Sequence, residues 1–396
     1  MRLALLDLAG RFRANVRHTD TNRFATVDSL TFQPFTSEDW GHMMDGTQPS
    51  LSGSLTSSGT SARNAVATVN IQAVANAAGV SKTTVSHVLS GKRPVSSSTR
   101  KHVEKVMAEM GFQPNFFAQA LNHNRSNTIG LIVQDITNPF YPALARGLQT
   151  SVSDQQQVVM LFDAGAGGRL THTLISEAIK RRVDGLVVAV SNVDDDLVQL
   201  AKAAIPVVAV GSGTSNLPID WVTADDERIA SDAVMYLHLA GHTHIATITG
   251  PLQSAPGKPR LLGYQRAMAD LGLLTGGADV VMSDWTRAGG FASMQAILRT
   301  RIRPSAVFCA NDLMAIGAME AALLANVRIP EDVAIVGVDD IDAAGLLRPS
   351  LTTVRVPAEE IGRAVGELLL HRIAEGITSS HRHILVQHKL ISRDSA

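Results

Sequence analysis

From Thr128 onward the chain alternates between two kinds of apolar patterning. Short β-branched runs are separated by helix-length amphipathic segments: TIGLIV (128–133), VVMLF (158–162), GLVVAV (185–190), PVVAV (206–210), IATITG (245–250), AVFCA (306–310) and VAIVGV (333–338). Near-continuous apolar runs spaced by helices predict parallel strands covered on both faces. There are about ten such units, more than one sheet of typical size holds. The pattern predicts an α/β body of two doubly wound, parallel-sheet lobes with a cleft between them.

Upstream the period changes to that of short helices. In NIQAVANAAGVSKTTVSHVLSG (70–91), Ile71, Val74 and Ala75 form one apolar stripe, and Gly79 supplies a left-handed turn residue. Ser81 is placed to cap a second helix with Val85, Val88 and Leu89 inward. Ser96 caps a third, with Val103, Val106, Met107 and Met110 on its inner face. Two short helices joined by a glycine turn predict a helix-turn-helix inside a three-helix head. Pro114 stops the third helix, and Asn115 can cap a short helix, Phe116–Leu121, with little of its own to pack against. Such a helix is expected to order only against a symmetry mate or DNA.

Charge sharpens this picture. The 396 residues have a formal net charge of −1, but residues 67–126 carry seven basic and two acidic side chains, a net +5. The body that follows is acidic, and 1–66 is neutral. A basic head before an acidic body points to nucleic acid as the head's partner. Residues 1–66 have no sustained period and run into SLSGSLTSSGTS, a linker composition, so a disordered extension is expected there.

One cysteine, Cys309, excludes an intramolecular disulfide and a Cys-rich zinc site. No apolar run approaches the roughly 18 residues of a membrane span. The opening MRLALLDLAGRFR is broken by Asp7 and makes a poor signal peptide, so a soluble intracellular protein is expected.

The runs VNIQAVANAAGVSKTTVSHVLSGKRPVS and TRKHVEKVMAEMGFQPNFFAQAL resemble the DNA-binding head of the lactose-repressor (LacI/GalR) family of bacterial transcription regulators. The likeness continues through IGLIVQDITNPFY, VDGLVV, RLLGY, AVFCANDLMAIGAM, VGVDD and LTTVRVP, over about 69–391. The resemblance implies an extension at 1–66, a helix-turn-helix domain at 67–114, a hinge helix and linker at 115–127, and a two-lobe body of the type I periplasmic-binding-protein kind at 128–396. The N-lobe would take about 128–226 plus 357–384, and the C-lobe about 227–356 plus 385–396.

The resemblance also implies residue roles. Lys82, Thr83 and His87 fall where the family's recognition helix faces base edges, and Ser81, Thr84 and Ser86 where it caps itself or meets phosphate. Asn115, Ala118 and Leu121 fall in the hinge, with Leu121 as the minor-groove wedge. In the cleft, Phe140, Tyr141, Arg260, Trp285, Asn311 and Asp339 fall at effector-contacting positions, and Asp135 and Asp225 are weaker candidates. Val356 and Ala358 stand where some relatives carry polar or aromatic contacts, leaving one cleft wall smooth. The implied function is repression from a palindromic operator by a homodimer in the cytoplasm, at the nucleoid. A small molecule, a sugar or sugar derivative, would be the switch, with no cofactor, no metal and no membrane partner. The sign of the switch is left open, and the absence of trailing leucine heptads gives no basis for a tetramer.

Other readings are weaker. A secreted sugar-binding protein fits the body but not the basic head. An enzyme lacks a nucleophile: there is no G-x-S-x-G elbow, and DAGAGGRL (163–170) has Leu170 where a dinucleotide loop needs glycine. His238, His242 and His244 straddle a helix end and a strand, so turn and cap roles are expected of them rather than metal binding.

Overall fold

The head folds as its caps and apolar spacing dictate. Helix α1 (Ile71–Ala77) starts at Asn70, whose side chain accepts from the Ala73 N–H, and ends before Gly79 at φ 63°. Helix α2 (Lys82–Ser90) is capped by Ser81 and closed by Gly91, also at φ 63°. Helix α3 (Ser97–Glu109) is capped by Ser96. Val74, Ala75, Ala78, Val85, Val88, Val103 and Val106 close a small core among them, with Leu89, Met107 and Met110 at its margin. The computed structural model describes residues 69–91, 93–112, 125–165, 168–190, 200, 205–211, 219–253, 255–273, 276–376 and 380–396. The extension at 1–66 and the hinge residues Asn115, Ala118 and Leu121 lie outside them.

The body contains two six-stranded sheets. The first runs β11-β5-β4-β3-β1-β2, built from β1 (Thr128–Val133), β2 (Val158–Asp163), β3 (Gly185–Ala189), β4 (Val207–Val210), β5 (Asp220–Ala224) and β11 (His383–Val386). All its pairings are parallel. The second runs β12-β10-β9-β8-β6-β7, from β6 (Ile245–Thr249), β7 (Val280–Met282), β8 (Ala306–Cys309), β9 (Ala334–Asp339), β10 (Thr352–Arg355) and β12 (Lys389–Ile391). Helices α4 (Phe140–Val152), α5 (Thr171–Lys180) and α11 (Ala358–Glu375) belong to the first lobe. The second takes α6 (Asp226–Leu239), α7 (Gly257–Asp270), α8 (Arg287–Leu298), α9 (Asp312–Leu324) and α10 (Asp342–Leu346). The two parallel α/β lobes match the expected class of fold.

Two local departures have plain causes. β12 is antiparallel to β10, although parallel sheets were expected throughout. In these sheets the carboxyl ends of the strands face the cleft. A chain crossing from the cleft straight into a strand therefore runs backwards, whereas one that crosses into a helix first is turned round. β2 was expected to be covered on both faces but is an edge strand, with Val158 60 % exposed; a run of apolar residues does not distinguish a central strand from an edge.

The chain passes between the lobes three times: between Ala224 and Asp226, between Arg355 and Ala358, and between Val386 and Lys389. The last passage comes after Val386, since β11 pairs with β5 through Val386↔Ala224, and not at 384/385. Helix α11, which follows all of the second lobe except β12 in sequence, therefore returns to the first. It packs on α4 at backbone contact. A Cβ at Gly147 would run into the Glu359 carbonyl, and one at Gly362 into the backbone of Leu144 and Leu148.

One buried ion pair fastens this arrangement. Arg372 of α11 donates from Nε to Asp220 Oδ2 at 2.5 Å and from Nη2 to Oδ1 at 2.7 Å, with side-chain exposures of 4 % and 1 %. Asp220 Oδ1 also accepts from the Arg382 N–H at 2.7 Å, and Arg372 Nη2 donates to the Ser380 carbonyl at 2.6 Å. The pair thus joins the start of β5, the end of α11 and the approach to β11. Residues 393–396 are tied down as well: Ser395 Oγ accepts from the Thr352 N–H at 2.9 Å and donates to the Ile335 carbonyl at 2.6 Å.

Candidate functional site

The second helix of the head presents its polar side chains as its capping requires. Ser81 Oγ accepts from the Thr84 N–H at 3.0 Å and lies 2.9 Å from Thr84 Oγ1, so these two hydroxyls hold the helix start. Val85 and Val88 face the core, Lys82 and Thr83 are exposed, and Ser86 and His87 are half-buried. From α3, Arg100 Nη1 donates to the Val88 carbonyl at 3.1 Å, locking the two helices together. Lys82 and Thr83 are therefore carried exposed on the first turn, with His87 half-buried one turn further on.

The cleft collects all six of the effector residues expected from sequence: Phe140, Tyr141, Arg260, Trp285, Asn311 and Asp339 line one cavity of about 140 Å3. That is an order of magnitude above the roughly 10–15 Å3 a single water needs, so the space suits a small organic ligand. Phe140 and Tyr141 begin α4, their rings edge to face at 5.5 Å. Burial, with Asp339 and Asp135 nearby, pushes the Tyr141 hydroxyl well above the usual phenol range. It stays neutral and able to donate.

The opposite wall is built around Arg260. Its side chain is 7 % exposed, and Nε donates to Asp226 Oδ1 at 2.9 Å while Nη1 bonds the Ala310 carbonyl and lies 3.9 Å from Asp339. Asp339 ends β9 at φ 117° and Asp340 follows at φ 60°, both in the left-handed region that non-glycine residues rarely adopt. This turn divides the two carboxylates. Asp339 lines the cleft, and Asp340 accepts from Arg355 Nε at 2.7 Å and Arg393 Nη2 at 2.5 Å. Burial, opposed by Arg260 and reinforced by Asp226, raises the Asp339 carboxyl to about 7. Behind it, the buried Asp312 carboxylate is held by Thr353 Oγ1 at 2.6 Å and the Ile341 N–H at 2.9 Å. Its pKa too is raised, by burial and by Asp339.

Trp285 lines the cleft from the turn after β7, at φ 71°. Two neighbours set its position. Asn311 Nδ2 donates to the Trp285 carbonyl at 3.0 Å, while Asn311 Oδ1 caps α9 by accepting from the Met314 N–H at 2.9 Å. Both polar ends of Asn311 thus have protein partners, so its visible work is to hold Trp285 and start α9. Beneath the indole lies Gly250, where a Cβ would collide with the ring. Gly250→Ala is therefore expected to displace Trp285 at a cost of about 1–3 kcal/mol. The measurement is effector titration followed by tryptophan emission, expected to show affinity lowered by about tenfold or more with the thermal transition lowered by a few degrees.

Two acidic residues complete the lining with matched geometry. Asp135 Oδ1 accepts from the Thr137 N–H at 2.9 Å and hydroxyl at 2.6 Å, and Asp284 Oδ1 accepts from Thr286 in the same way at 3.0 and 2.6 Å. Val356 forms the smooth wall. Asp225, a weaker candidate, instead caps α6 by accepting from the Arg228 N–H at 3.0 Å, and its neighbour Asp226 is the cleft residue. In an Asp-Asp pair at a helix start, the first position is the cap and the second lies in the first turn; that rule would have found Asp226. Gly250 had no such signal, because its need arises from a side chain 35 residues later. Two of the three histidines of HLAGHTHIA hold structure: His242 Nδ1 meets Ser305 Oγ at 3.0 Å, and His244 Nε2 meets Asp279 Oδ1 at 2.8 Å. Among the described residues no three potential metal ligands converge, and no helix is long and apolar enough to cross a membrane.

A basic helix-turn-helix head followed by a two-lobe receptor defines a ligand-controlled, DNA-binding regulator. Residues 70–115 match the family model of bacterial regulatory proteins, lacI family, and residues 234–396 that of a periplasmic binding protein-like domain. The chain belongs to the LacI family of transcription regulators, which are not enzymes. It is 34 % identical over 312 residues to the ribose operon repressor of Escherichia coli (strain K12), covering 78 % of this chain and 94 % of that repressor. Its structure is similar to that of the lac repressor dimer bound to operator and the anti-inducer ONPF, with a TM-score of 0.75, 26 % identity, and 83 % and 99 % of the two chains covered. It is also similar to the transcriptional regulator CelR in complex with cellobiose, with a TM-score of 0.64, 31 % identity, and 83 % and 100 % covered.

Proposed function

We propose that this regulator represses transcription by binding a palindromic operator as a homodimer, and that a sugar in the interlobe cleft controls its hold on DNA. The carrying observation is the cleft itself, where an arginine and carboxylates able to make paired, directional hydrogen bonds face three aromatic rings. That combination suits a ring with polar edges and apolar faces. The ribose and cellobiose systems of its relatives support the sugar class, and the operator-bound dimer among similar structures supports the assembly. Lys82, Thr83 and His87 read base edges in this scheme, and Ser81, Thr84 and Ser86 hold the helix start or meet phosphate. Asn115, Ala118 and Leu121 form the hinge that wedges the minor groove. A repressor in this scheme works in the cytoplasm, at the nucleoid.

The test is selection of genomic fragments by the purified full chain, then operator titration at increasing salt with and without sugars. With the net +5 head, log K is expected to fall linearly and steeply with log salt. Lys82→Ala should reduce that slope by about one if it contacts phosphate. If it reads a base, it should instead relax specificity at one position of the site. Absence of any selected site, or an operator affinity that no sugar changes, would overturn the reading.

A further inference from the structure

Resting on the reading of the cleft as a sugar site, we infer that it admits uncharged or cationic ligands and rejects anionic ones, sugar phosphates and uronates included, by electrostatics. Four carboxylates, Asp135, Asp226, Asp284 and Asp339, stand on its described lining against one cation, Arg260. The charge of that cation is already offset, although the guanidinium keeps N–H donors for a ligand hydroxyl. Asp226 holds Nε at 2.9 Å, Asp339 lies at 3.9 Å, and the Ala310 carbonyl takes Nη1. With Asp226 beside it and Asp339 titrating near 7, the guanidinium is already compensated, so Asp135 and Asp284 leave an incoming anion facing net repulsion in a partly desolvated space.

The other natural source of anion affinity is the set of helix N-termini, and several converge here. Four of them have a side-chain acceptor on one N–H already, while α7 and α11, which begin after Pro256 and Pro357, have no side-chain cap. The Phe140 N–H of α4 donates to Asn138 Oδ1 at 3.0 Å, and Arg228 N–H of α6 to Asp225 Oδ1 at 3.0 Å. The Gly289 N–H of α8 donates to Thr286 Oγ1 at 2.9 Å, and Met314 N–H of α9 to Asn311 Oδ1 at 2.9 Å. The carboxyl of Asp339 is raised to about 7 chiefly by burial, with Asp226 adding to it and Arg260 opposing it. Hydroxyls, in contrast, can donate to the carboxylates, and an ammonium in place of a hydroxyl gains attraction.

The experiment uses ligands matched in shape and different in charge, titrated calorimetrically into the full-length protein. Ribose, glucose and cellobiose establish the neutral parent. The parent's charged forms follow: ribose against ribose 5-phosphate, glucose against glucosamine, and glucuronamide against glucuronate, the last pair nearly isosteric. Expected is binding of the uncharged member about a hundredfold or more tighter than the anion, with the gap shrinking as salt is raised. The double variant Asp135→Asn/Asp284→Asn keeps the turn-forming acceptor at each position while removing two charges, and it should narrow the gap at least several-fold. An anion that binds as tightly as its uncharged partner overturns the inference and leaves the sugar reading standing. So does a gap that neither salt nor the double variant changes, because the rejection is then one of shape. If none of these sugars binds, charged or uncharged, the sugar reading fails and this inference falls with it.

Discussion

Asp220→Ala is expected to cost about 3–5 kcal/mol of stability, because it leaves the Arg372 guanidinium buried without its carboxylate. The loss falls on three elements at once. Asp220 starts β5, Arg372 sits in the last turn of α11, and the Arg382 N–H that also bonds Asp220 leads into β11. Burial alone would raise the Asp220 carboxyl. The hydrogen bonds from Arg372 and the Arg382 N–H, with the charge of Arg372, outweigh it and hold the group below the usual range. Its stabilising effect is therefore fully present above the unfolded value of about 3.9 and is lost as pH falls through the lower folded value. Denaturant unfolding at neutral pH measures the alanine variant, and Asp220→Ala/Arg372→Met is expected to recover much of the loss, since an apolar pair is often as stable as a buried ionic one. A single variant within about 1 kcal/mol of the parent protein would show that the pair is not a fastening.

Asp339→Asn is expected to act in the opposite direction on stability while removing the response to effector. The folded carboxyl, raised to about 7 by burial, is above the unfolded value of about 3.9. The protonated form is favoured by folding, so its contribution is complete below about pH 4 and is lost as pH rises through 7. A shift of that size corresponds to about 4 kcal/mol at most between the extremes. Asparagine has the shape of the neutral acid and tolerates positive φ, which this position requires at 117°. The variant should match the parent below about pH 4, already melt somewhat higher at pH 5 and higher still at pH 8, with operator affinity near that of the parent and no effector-dependent change in it. A variant that is equally or less stable at pH 8, or that keeps the full effector shift, would refute this account of the residue.

The strands were readable wherever they are central. TIGLIV, GLVVAV and AVFCA became β1, β3 and β8, buried along their whole length, because a strand covered on both faces needs only apolar residues. The caps of the head were readable for a different reason: Gly79, Ser81 and Ser96 act within four residues of themselves. What sequence reasoning missed depends on distance. β7 and β12 are three residues each, too short to carry a period. Gly250 answers to Trp285, and Asp220 to Arg372, across 152 positions. In the cleft, the six contact positions came from family resemblance, but the engagement of Asn311 with Trp285 and the choice of Asp226 over Asp225 depended on local geometry.

The threefold passage between lobes sets the order in which a growing chain can fold. The head, complete by Phe112, depends on contacts among neighbours and can form as soon as it leaves the ribosome. Neither lobe has that freedom. The first waits for α11 and for β11 at Val386, the second for β12 at Ile391. At synthesis rates of about 5–20 residues per second, the interval between emergence of the head and completion of either lobe is on the order of tens of seconds. During that time β1 and β3 have strands to pair with but lack the helix that covers them. A ribosome that stops a few dozen codons early thus releases a DNA-binding head joined to two unfinished sheets. A chaperone that shields the half-built first sheet is expected to raise the yield of active regulator more than one that acts after release.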